Sequence, residues 1–291
     1  KIKSFLYWPI GIYKLINIIR KEQPLAVYTW MYHADLIGGM ASYIAGIRNI
    51  IWGIRCTNVC SRSIITKILR RVCSLLSYVL PRVIICCSHS AKKTHESIGY
   101  CSKKMKVISN GYNLKNFNPD NNIKNKIKKN LGLSGDTKII GTVGNFNELK
   151  DFNNFIKAAS IAAENYENVY FFMIGRGLDR QNNQLMNWIN KSKIQHKFFL
   201  FGQTDPHDLY AAMDFYCLSS KSEGFPNVVA EAMAMKTPCI VTDVGDAKII
   251  VNNIGEVVPP NNSNELGKGF IKMLSKPNFL VTKMGEDARH S

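Results

Sequence analysis

The sequence predicts an α/β protein built from parallel sheets that are flanked by helices. Two observations lead to this fold class: short apolar strands alternate with amphipathic helices, and a basic first part of the chain precedes a nearly neutral second part. With 291 residues, 46% of them hydrophobic, the chain can bury two medium-sized cores. We therefore expect two domains, residues 1–118 and 119–291, with the Asn- and Lys-rich stretch at 118–130 as a linker.

Strand and helix signals follow one another along the chain. Short runs rich in β-branched and aromatic residues predict strands at 25–30, 82–88, 138–144, 168–175, 197–202, 214–219 and 238–243. Apolar residues at helical spacing predict helices at 152–165, 178–192 and 226–236. This order of strand, helix and strand implies parallel strands that are joined by crossover helices.

Cysteine spacing and hydropathy exclude several classes of protein. The eight cysteines fit neither a zinc knuckle nor a small disulfide scaffold, so we interpret most of them as buried thiols. The sequence shows no signal peptide, and Arg82 interrupts the longest apolar stretch before it could cross a membrane. We therefore expect a cytoplasmic protein.

The net charge of +17 is concentrated in the first part of the chain. Residues 1–130 carry 22 Lys and Arg against 4 Asp and Glu, whereas residues 131–291 carry 16 against 17. This asymmetry predicts an anionic surface as partner of the first domain, and an ordinary solvated lysine-rich surface is the alternative.

One basic segment, residues 62–80, has an amphipathic pattern. Its apolar residues recur at helical spacing: Ile64, Ile65, Ile68, Leu69, Val72, Leu75, Leu76 and Val79. Three basic residues lie among them: Lys67, Arg70 and Arg71. Such a helix can lie on anionic lipid, and a helix that packs against its own sheet has the same pattern. The sequence leaves both alternatives open.

Two glutamates flank the start of a predicted helix after the strand at 214–219. Glu223 lies in the loop, Pro226 suits the beginning of the helix, and Glu231 follows a little more than one turn later. We expect the amides of residues 227–229 to point out of the helix end, where they can hold an anion. Amides that bind a diphosphate and carboxylates that bind hydroxyl groups together favour a sugar nucleotide as ligand.

The segment SEGFPNVVAEAMAMK resembles the retaining GT-B glycosyltransferases, in particular family 4, whose signature is Glu, seven residues, Glu. Further matching stretches follow the same order in both, at 107–119, 141–159, 171–177 and 241–262. The resemblance covers nearly all of the chain and is most specific in the second half. It implies two Rossmann-like domains, with the active site in the cleft between them.

The resemblance also implies roles for individual residues. Glu223 would contact the donor sugar near the reacting centre, and Glu231 would bind ribose hydroxyl groups. Lys150 matches the lysine that holds the diphosphate, where a cation stabilises the charge that develops on the leaving group. The other donor-binding residues implied by the family are Gly144, Asn145, Gly224, Phe225, Pro226, Asn227 and Val228.

Asn145 departs from the family pattern, in which an arginine usually accompanies the lysine. An asparagine donates hydrogen bonds but supplies no charge, so the donor would bind more weakly or another basic residue would substitute. We expect Arg176 to be the first such substitute.

The first domain contains two candidates for binding the acceptor. His33 follows a strand, although a structural or exposed histidine is the alternative. Arg55 occupies a stretch in which relatives often carry histidine, and its guanidinium suits an acceptor phosphate. No Asp-x-Asp motif and no paired histidine spacing occur in the sequence, so we expect neither a metal nor another cofactor.

Taken together, these features predict a retaining, metal-independent glycosyltransferase. Its donor would be a UDP- or GDP-sugar, and its acceptor a saccharide or a lipid-pyrophosphate-linked saccharide of a bacterial surface polysaccharide. A sugar-nucleotide epimerase and a catalytically impaired nucleotide-sugar- or lipid-binding protein are the alternatives. No nucleic-acid recognition motif appears. Because the resemblance begins about two strands into the usual first domain and ends before the usual final helix, we expect both termini to be truncated.

Overall fold

The computed structural model of the chain describes residues 8–57 and 63–291. The chain divides into two compact units, Lys1–Asn110 and Gly111–Ser291. The second unit thus begins earlier than the domain boundary that the sequence predicts after residue 118. Residues before that boundary belong to the second unit because Phe117 is buried in its core and Arg289 donates a hydrogen bond to the Phe117 carbonyl at 2.7 Å.

The first unit contains one parallel sheet of four strands, arranged in chain order from one edge to the other. Its strands are β1 (Val27–Trp30), β2 (Ile50–Ile54), β3 (Val83–Cys86) and β4 (Met105–Val107). Its helices are α1 (Trp8–Glu22), α2 (Tyr32–Ile44), α3 (Ile64–Leu76) and α4 (His89–Ser97). Residues of α2, α3 and α4 share one core with alternate residues of β2 and β3, so these three helices lie on one face of the sheet.

The second unit contains a parallel sheet of six strands. They are β5 (Lys138–Val143), β6 (Val169–Ile174), β7 (Phe198–Gly202), β8 (Phe215–Leu218), β9 (Cys239–Thr242) and β10 (Glu256–Val258). The order across the sheet is β10-β9-β8-β5-β6-β7, so the chain changes direction between β5 and β8.

Eight helices surround the six-stranded sheet. They are α5 (Asn121–Asn130), α6 (Phe152–Asn165), α7 (Asn183–Lys191), α8 (His207–Ala212), α9 (Asn227–Ala234), α10 (Ala247–Val251), α11 (Ser263–Leu274) and α12 (Asn278–His290). Alternate residues of the strands enter two different hydrophobic cores: Phe172 and Tyr216 pack in one, while Phe171 and Phe215 pack in the other. Helices therefore cover both faces, as the run of strand and helix signals predicts.

The interpretation of residues 118–130 as a linker is wrong. Residues 121–130 form helix α5, and Ile127 packs against the core of the second unit. The ammonium group of Lys128 donates hydrogen bonds to the carbonyls of Gly135 at 2.9 Å and Thr137 at 2.6 Å, and burial lowers its pKa. A stretch with few apolar residues folds here because Lys128 binds backbone carbonyls and Lys124 donates to the Asp214 carboxylate at 3.0 Å.

Three short strands, β2, β4 and β10, were not predicted from the sequence. In β2, Gly53 lies against the ring of Trp30, and a Cβ at Gly53 would come within 2.1 Å of that ring. The glycine interrupts the apolar pattern of the strand but provides the space for the neighbouring indole.

Within residues 8–57 and 63–291, every helix is too short or too polar to span a lipid bilayer.

Candidate functional site

The six-stranded sheet places two loops side by side at its carboxyl edge. One loop follows β5 and contains Lys150, and the other follows β8 and contains Glu223. The strands β5 and β8 pair directly, at the point where the strand order reverses. In open parallel sheets, ligands bind outside the carboxyl ends of the strands at this switch point.

Lys150 and Glu223 form an ion pair, which the sequence analysis did not predict. The Lys150 Nζ lies 2.7 Å from the Glu223 Oε1, and their side chains are 21% and 14% exposed. The Ser220 hydroxyl donates to the same carboxylate oxygen at 2.6 Å. The carboxylate is thus held by two donors, whereas the ammonium group keeps the capacity for two further hydrogen bonds.

Backbone contacts hold the two loops together. The Ser219 hydroxyl donates to the Lys150 carbonyl at 2.8 Å, and the Lys221 amide donates to the Leu149 carbonyl at 2.7 Å. Asp151 has left-handed backbone angles, with φ at 49°, and its carboxylate lies 3.6 Å from the Lys221 ammonium. Lys150 is therefore carried by a well-fixed turn.

The first donor-binding residues predicted from the sequence, Gly144 and Asn145, follow β5 at the same edge. Gly175 approaches them so closely that a Cβ there would lie 2.1 Å from the Gly144 carbonyl oxygen, and its φ is +137°. The methylene chain of Lys150 also lies beside Gly144, since a Cβ at Gly144 would be 3.4 Å from the Lys150 Cε. Asn145 is exposed. Arg176, the expected substitute for the missing arginine, is exposed next to Gly175.

A tight turn after β9 supports the loop from Glu223 to Pro226. The Asp246 amide donates to the Gly224 carbonyl at 2.9 Å. Gly245 has φ at +57°, and a Cβ there would lie 2.4 Å from the Gly224 carbonyl oxygen and 2.7 Å from that of Glu223. Only glycine permits this close approach of the two backbones.

We expect Gly245→Ala to lower the free energy of unfolding by about 1 to 3 kcal/mol, the usual cost of a strained backbone position. The new methyl group would push the Glu223–Gly224 backbone away from its present position. Urea denaturation measures the change. Gly135→Ala is the matched control, since a Cβ at Gly135 would have no atom within 4 Å. Equal free energies of unfolding in Gly245→Ala and the unchanged chain would show that the turn accepts a side chain at this position.

Helix α9 begins at Asn227, directly after Pro226, and carries no side-chain cap. The expectation of an outward-pointing amide is wrong for Val229, because that amide donates to the Pro226 carbonyl at 3.0 Å. The Tyr112 hydroxyl donates to the Asn227 Oδ1 at 2.8 Å. Anion binding by the amides of Asn227 and Val228 stays a prediction.

Glu231 lies in α9, one turn beyond the helix start. Its Oε2 accepts a hydrogen bond from the Tyr210 hydroxyl at 3.2 Å. Burial raises the pKa of Tyr210 well above its usual value, with a further contribution from the Glu231 carboxylate, so the phenol stays protonated and donates. Tyr210 thereby orients the carboxylate.

The two residues predicted to bind the acceptor lie in the first unit. His33 is exposed in the first turn of α2, directly after β1, and Arg55 is exposed directly after β2. They follow neighbouring strands at the carboxyl edge of this sheet. The Arg55 guanidinium donates to the Asn110 side-chain oxygen at 2.7 Å.

Among residues 8–57 and 63–291, no three His, Cys, Asp or Glu side chains come together in a group that could hold a metal ion. The cysteines in these ranges form no disulfide, and all except Cys56 are buried. Cys60 lies outside the described residues.

Three residues that contribute to the site were not predicted from the sequence: Ser220, Tyr210 and Gly245. Ser220 ends the strand before Glu223, and a hydroxyl at the carboxyl end of a strand is a usable signal. Gly245 lies in the stretch 241–262 that resembles the family, although no role was assigned to it there. Tyr210 has no comparable signal, because it meets Glu231 only through the tertiary fold.

Comparisons with known proteins identify the family of the chain. The family described as "Glycosyl transferases group 1" matches residues 123–291. The Escherichia coli UDP-Gal:alpha-D-GlcNAc-diphosphoundecaprenol alpha-1,3-galactosyltransferase is 25% identical over 84% of the chain, which spans 63% of that relative. The Staphylococcus aureus capsular polysaccharide biosynthesis glycosyltransferase CapM is 24% identical over 96% of the chain, which spans 74% of it.

Solved structures show the same fold. The Anabaena protein Alr3699/HepE, crystallised in complex with UDP-glucose, matches with a TM-score of 0.82 and 19% identity over 96% of this chain and 76% of its own. The Thermosynechococcus elongatus sucrose-phosphate synthase matches with a TM-score of 0.80 and 18% identity over 100% of this chain and 74% of its own. Both units therefore have the α/β architecture of the GT-B glycosyltransferases.

Proposed function

The chain belongs to the glycosyl transferases group 1 family, and from this premise we propose that it transfers a sugar from a nucleotide-sugar donor to a hydroxyl group. The observation that carries the proposal is the Lys150–Glu223 ion pair at the switch point of the sheet. A cation and a carboxylate in contact, beside a helix start, suit a ligand with both phosphates and hydroxyl groups.

The donor diphosphate would lie between the amides of Asn227 and Val228 and the ammonium group of Lys150. Lys150 keeps donors for phosphate oxygens while it binds Glu223. Glu231, oriented by Tyr210, would accept hydrogen bonds from the ribose hydroxyl groups. The backbone from Gly224 onwards would meet the sugar hydroxyl groups.

In the transfer, the bond between the anomeric carbon of the sugar and the phosphate oxygen breaks. Its electron pair leaves with the nucleoside diphosphate, and the Lys150 ammonium stabilises the added charge. The acceptor oxygen bonds to the anomeric carbon, and its proton passes to an oxygen of the departing diphosphate. Glu223 would contact the sugar beside this centre.

We assign the chain to the retaining family 4 type, because Glu223 and Glu231 are separated by seven residues and lie on either side of the α9 start. Lys150 and the α9 amides supply the positive charge that a divalent cation provides in metal-dependent transferases. Asn145 adds no positive charge to this site, so Lys150 would supply most of the positive charge that meets the diphosphate.

We propose that the acceptor is a saccharide, free or carried on a lipid pyrophosphate, in surface polysaccharide synthesis. The names of the E. coli and S. aureus relatives support this class of acceptor. His33 and Arg55 would receive it, since a guanidinium suits a phosphate. The protein would then work in the cytoplasm, at the inner face of the membrane, where its basic first part favours anionic lipid.

An epimerase of the same architecture is the less favoured alternative, because the named relatives transfer sugars. UDP is favoured over GDP as the nucleotide because the Anabaena protein was crystallised with UDP-glucose. A catalytically impaired binding protein would bind UDP-sugars without turnover, which an activity assay detects.

We expect transfer from a UDP-sugar to continue in excess EDTA and to retain the donor's anomeric configuration. Thermal unfolding with UDP- and GDP-sugars identifies the donor first, because a ligand at 100 times its Kd stabilises the folded state by about 2.7 kcal/mol. NMR of the product then reports the configuration of the new bond. Activity that disappears in EDTA and returns with manganese would contradict the metal-free proposal, and an inverted product would contradict the family 4 assignment.

A further inference from the structure

Helix α3 presents an apolar face to solvent. The side chains of Ile64, Ile65, Ile68 and Leu75 are between 60% and 71% exposed, and Val72 is also exposed. These five residues, which we name the outer face of α3, fall on one side of the helix at 100° per residue. An exposed apolar patch of contiguous residues marks an interaction surface.

The opposite side of α3 packs against the core of the first unit. Cys73 and Ser74 are buried, and Leu69 and Leu76 pack against the core of the first unit. The Ser74 hydroxyl donates to the Ile98 carbonyl at 3.1 Å. The inner side of the helix therefore attaches α3 to the core of the first unit. The outer face makes no contribution to that core, so folding of the first unit does not explain why it is apolar.

Basic side chains border the outer face. Lys67 and Arg71 are exposed on the adjoining side of the helix, and with Arg70 they line a cavity of about 370 Å³ against residues 97–99. Gly99 has φ at +94°, and a Cβ there would lie 3.0 Å from the Ser74 Oγ and in ordinary contact, at 3.9 Å, with the Arg71 Nη1. Helix α3 has no acidic residue, so the cavity is strongly cationic.

We propose that the outer face of α3 inserts into the interface of an anionic phospholipid bilayer, while Lys67 and Arg71 bind the lipid phosphates. An apolar face with flanking cations matches the two layers of such a surface, acyl chains and anionic headgroups. A second copy of the chain fits less well, because a two-fold contact through the outer face of α3 would bring Lys67 and Arg71 of both copies together. The inference rests on the proposed function, in which a lipid-linked acceptor would be used at the same surface.

Vesicle flotation of the full chain tests this surface. We expect binding to phosphatidylcholine vesicles that contain phosphatidylglycerol, weaker binding to phosphatidylcholine alone, and loss of binding as salt rises. Lys67→Gln with Arg71→Gln should weaken binding about 25-fold, at about fivefold for each charge near the membrane surface. Lys191→Gln with Lys283→Gln removes two exposed charges from the second unit, and this matched control should bind as the unchanged chain does.

A second double variant tests the insertion of the apolar side chains into lipid. Ile65→Gln with Ile68→Gln should weaken binding to anionic vesicles at least tenfold, because two exposed side chains no longer enter the lipid interface. Glutamine keeps the helix propensity and both positions are exposed, so circular dichroism and thermal unfolding should match the unchanged chain. Unchanged vesicle binding in either α3 variant, or equal binding to neutral and anionic vesicles, would overturn the proposal.

UDP titration of the same variants separates this inference from the proposed function. A chain that binds UDP and no vesicles retains the donor site and overturns the membrane surface. A chain that floats with anionic vesicles, loses flotation in the α3 variants and binds no nucleotide supports the membrane surface and contradicts the transferase. A dimer that dissociates in Ile65→Gln with Ile68→Gln, without any vesicle binding, would assign the outer face to a second copy instead.

Discussion

Lys150→Ala is expected to lower the rate of sugar transfer by about two to three orders of magnitude, the scale of removing one preorganised group that stabilises developing charge. The ammonium group is positioned before the donor arrives, because it is held by Glu223 at 2.7 Å and by a turn that Ser219 ties to β8. Its charge therefore meets the leaving diphosphate without reorganisation. Initial rates with a saturating UDP-sugar give the effect on the chemical step.

Two further variants distinguish the charge of Lys150 from its packing. Lys150→Met keeps a methylene chain beside Gly144 and removes the charge, so it should lose as much activity as the alanine variant. Lys157→Ala removes an exposed lysine from α6 and should leave the rate unchanged. Near-normal activity in Lys150→Ala would assign the charge to another cation, and Arg176→Ala would then be the next variant to measure.

The sequence predicted the layers of the second unit well because its strands are continuous apolar runs. Residues 138–143 and 169–174 are buried in the middle of the sheet, where a parallel strand is apolar on both faces. The strands that were missed are short or contain a glycine, as Gly53 does in β2. For such strands the pairing partner, and not the local pattern, decides the structure.

The candidate site was predicted as separate motifs and not as an arrangement. Lys150 and Glu223 are 73 positions apart in the chain, and only the pairing of β5 with β8 brings their loops together. The roles of Gly245 and Tyr210 depend on backbone approach and on a contact across helices, neither of which leaves a periodic signal. Motif spacing identifies the chemical groups, whereas the switch point of the sheet determines which of them meet.

The amphipathic segment 62–80 also shows what a sequence pattern leaves undecided. Its pattern predicted a helix, but periodicity alone could not tell a core-facing apolar side from a solvent-facing one. The structure places Cys73 in the core and Ile65 in solvent, so only part of the apolar pattern serves folding. The inference that the outer face of α3 contacts lipid then follows from the exposure of its apolar side chains and from the cations beside them.

Glu231→Gln is expected to weaken UDP binding by about 1.5 to 3 kcal/mol, the range for hydrogen bonds to a charged group. Glutamine keeps an oxygen for the Tyr210 hydroxyl and removes the charge, so the fold should be preserved, whereas alanine would leave a buried phenol without this partner. Calorimetric titration with UDP measures the loss. In contrast, Glu223→Gln should bind UDP nearly as well as the unchanged chain and lose turnover, because Glu223 would contact the sugar and not the nucleoside.

Tyr210→Phe tests how the Glu231 carboxylate is oriented. Removing the hydroxyl leaves the charge in place but takes away the 3.2 Å hydrogen bond, so UDP affinity should fall by about 0.5 to 1.5 kcal/mol, less than in Glu231→Gln. The double variant should be little weaker than Glu231→Gln alone, because the hydroxyl lies closer to the carboxylate, at 3.2 Å, than to its second acceptor, the Val228 carbonyl, at 3.4 Å. Unchanged UDP affinity in Glu231→Gln would reject the ribose assignment, and additive losses in the double variant would mean that Tyr210 contributes to the site by another route.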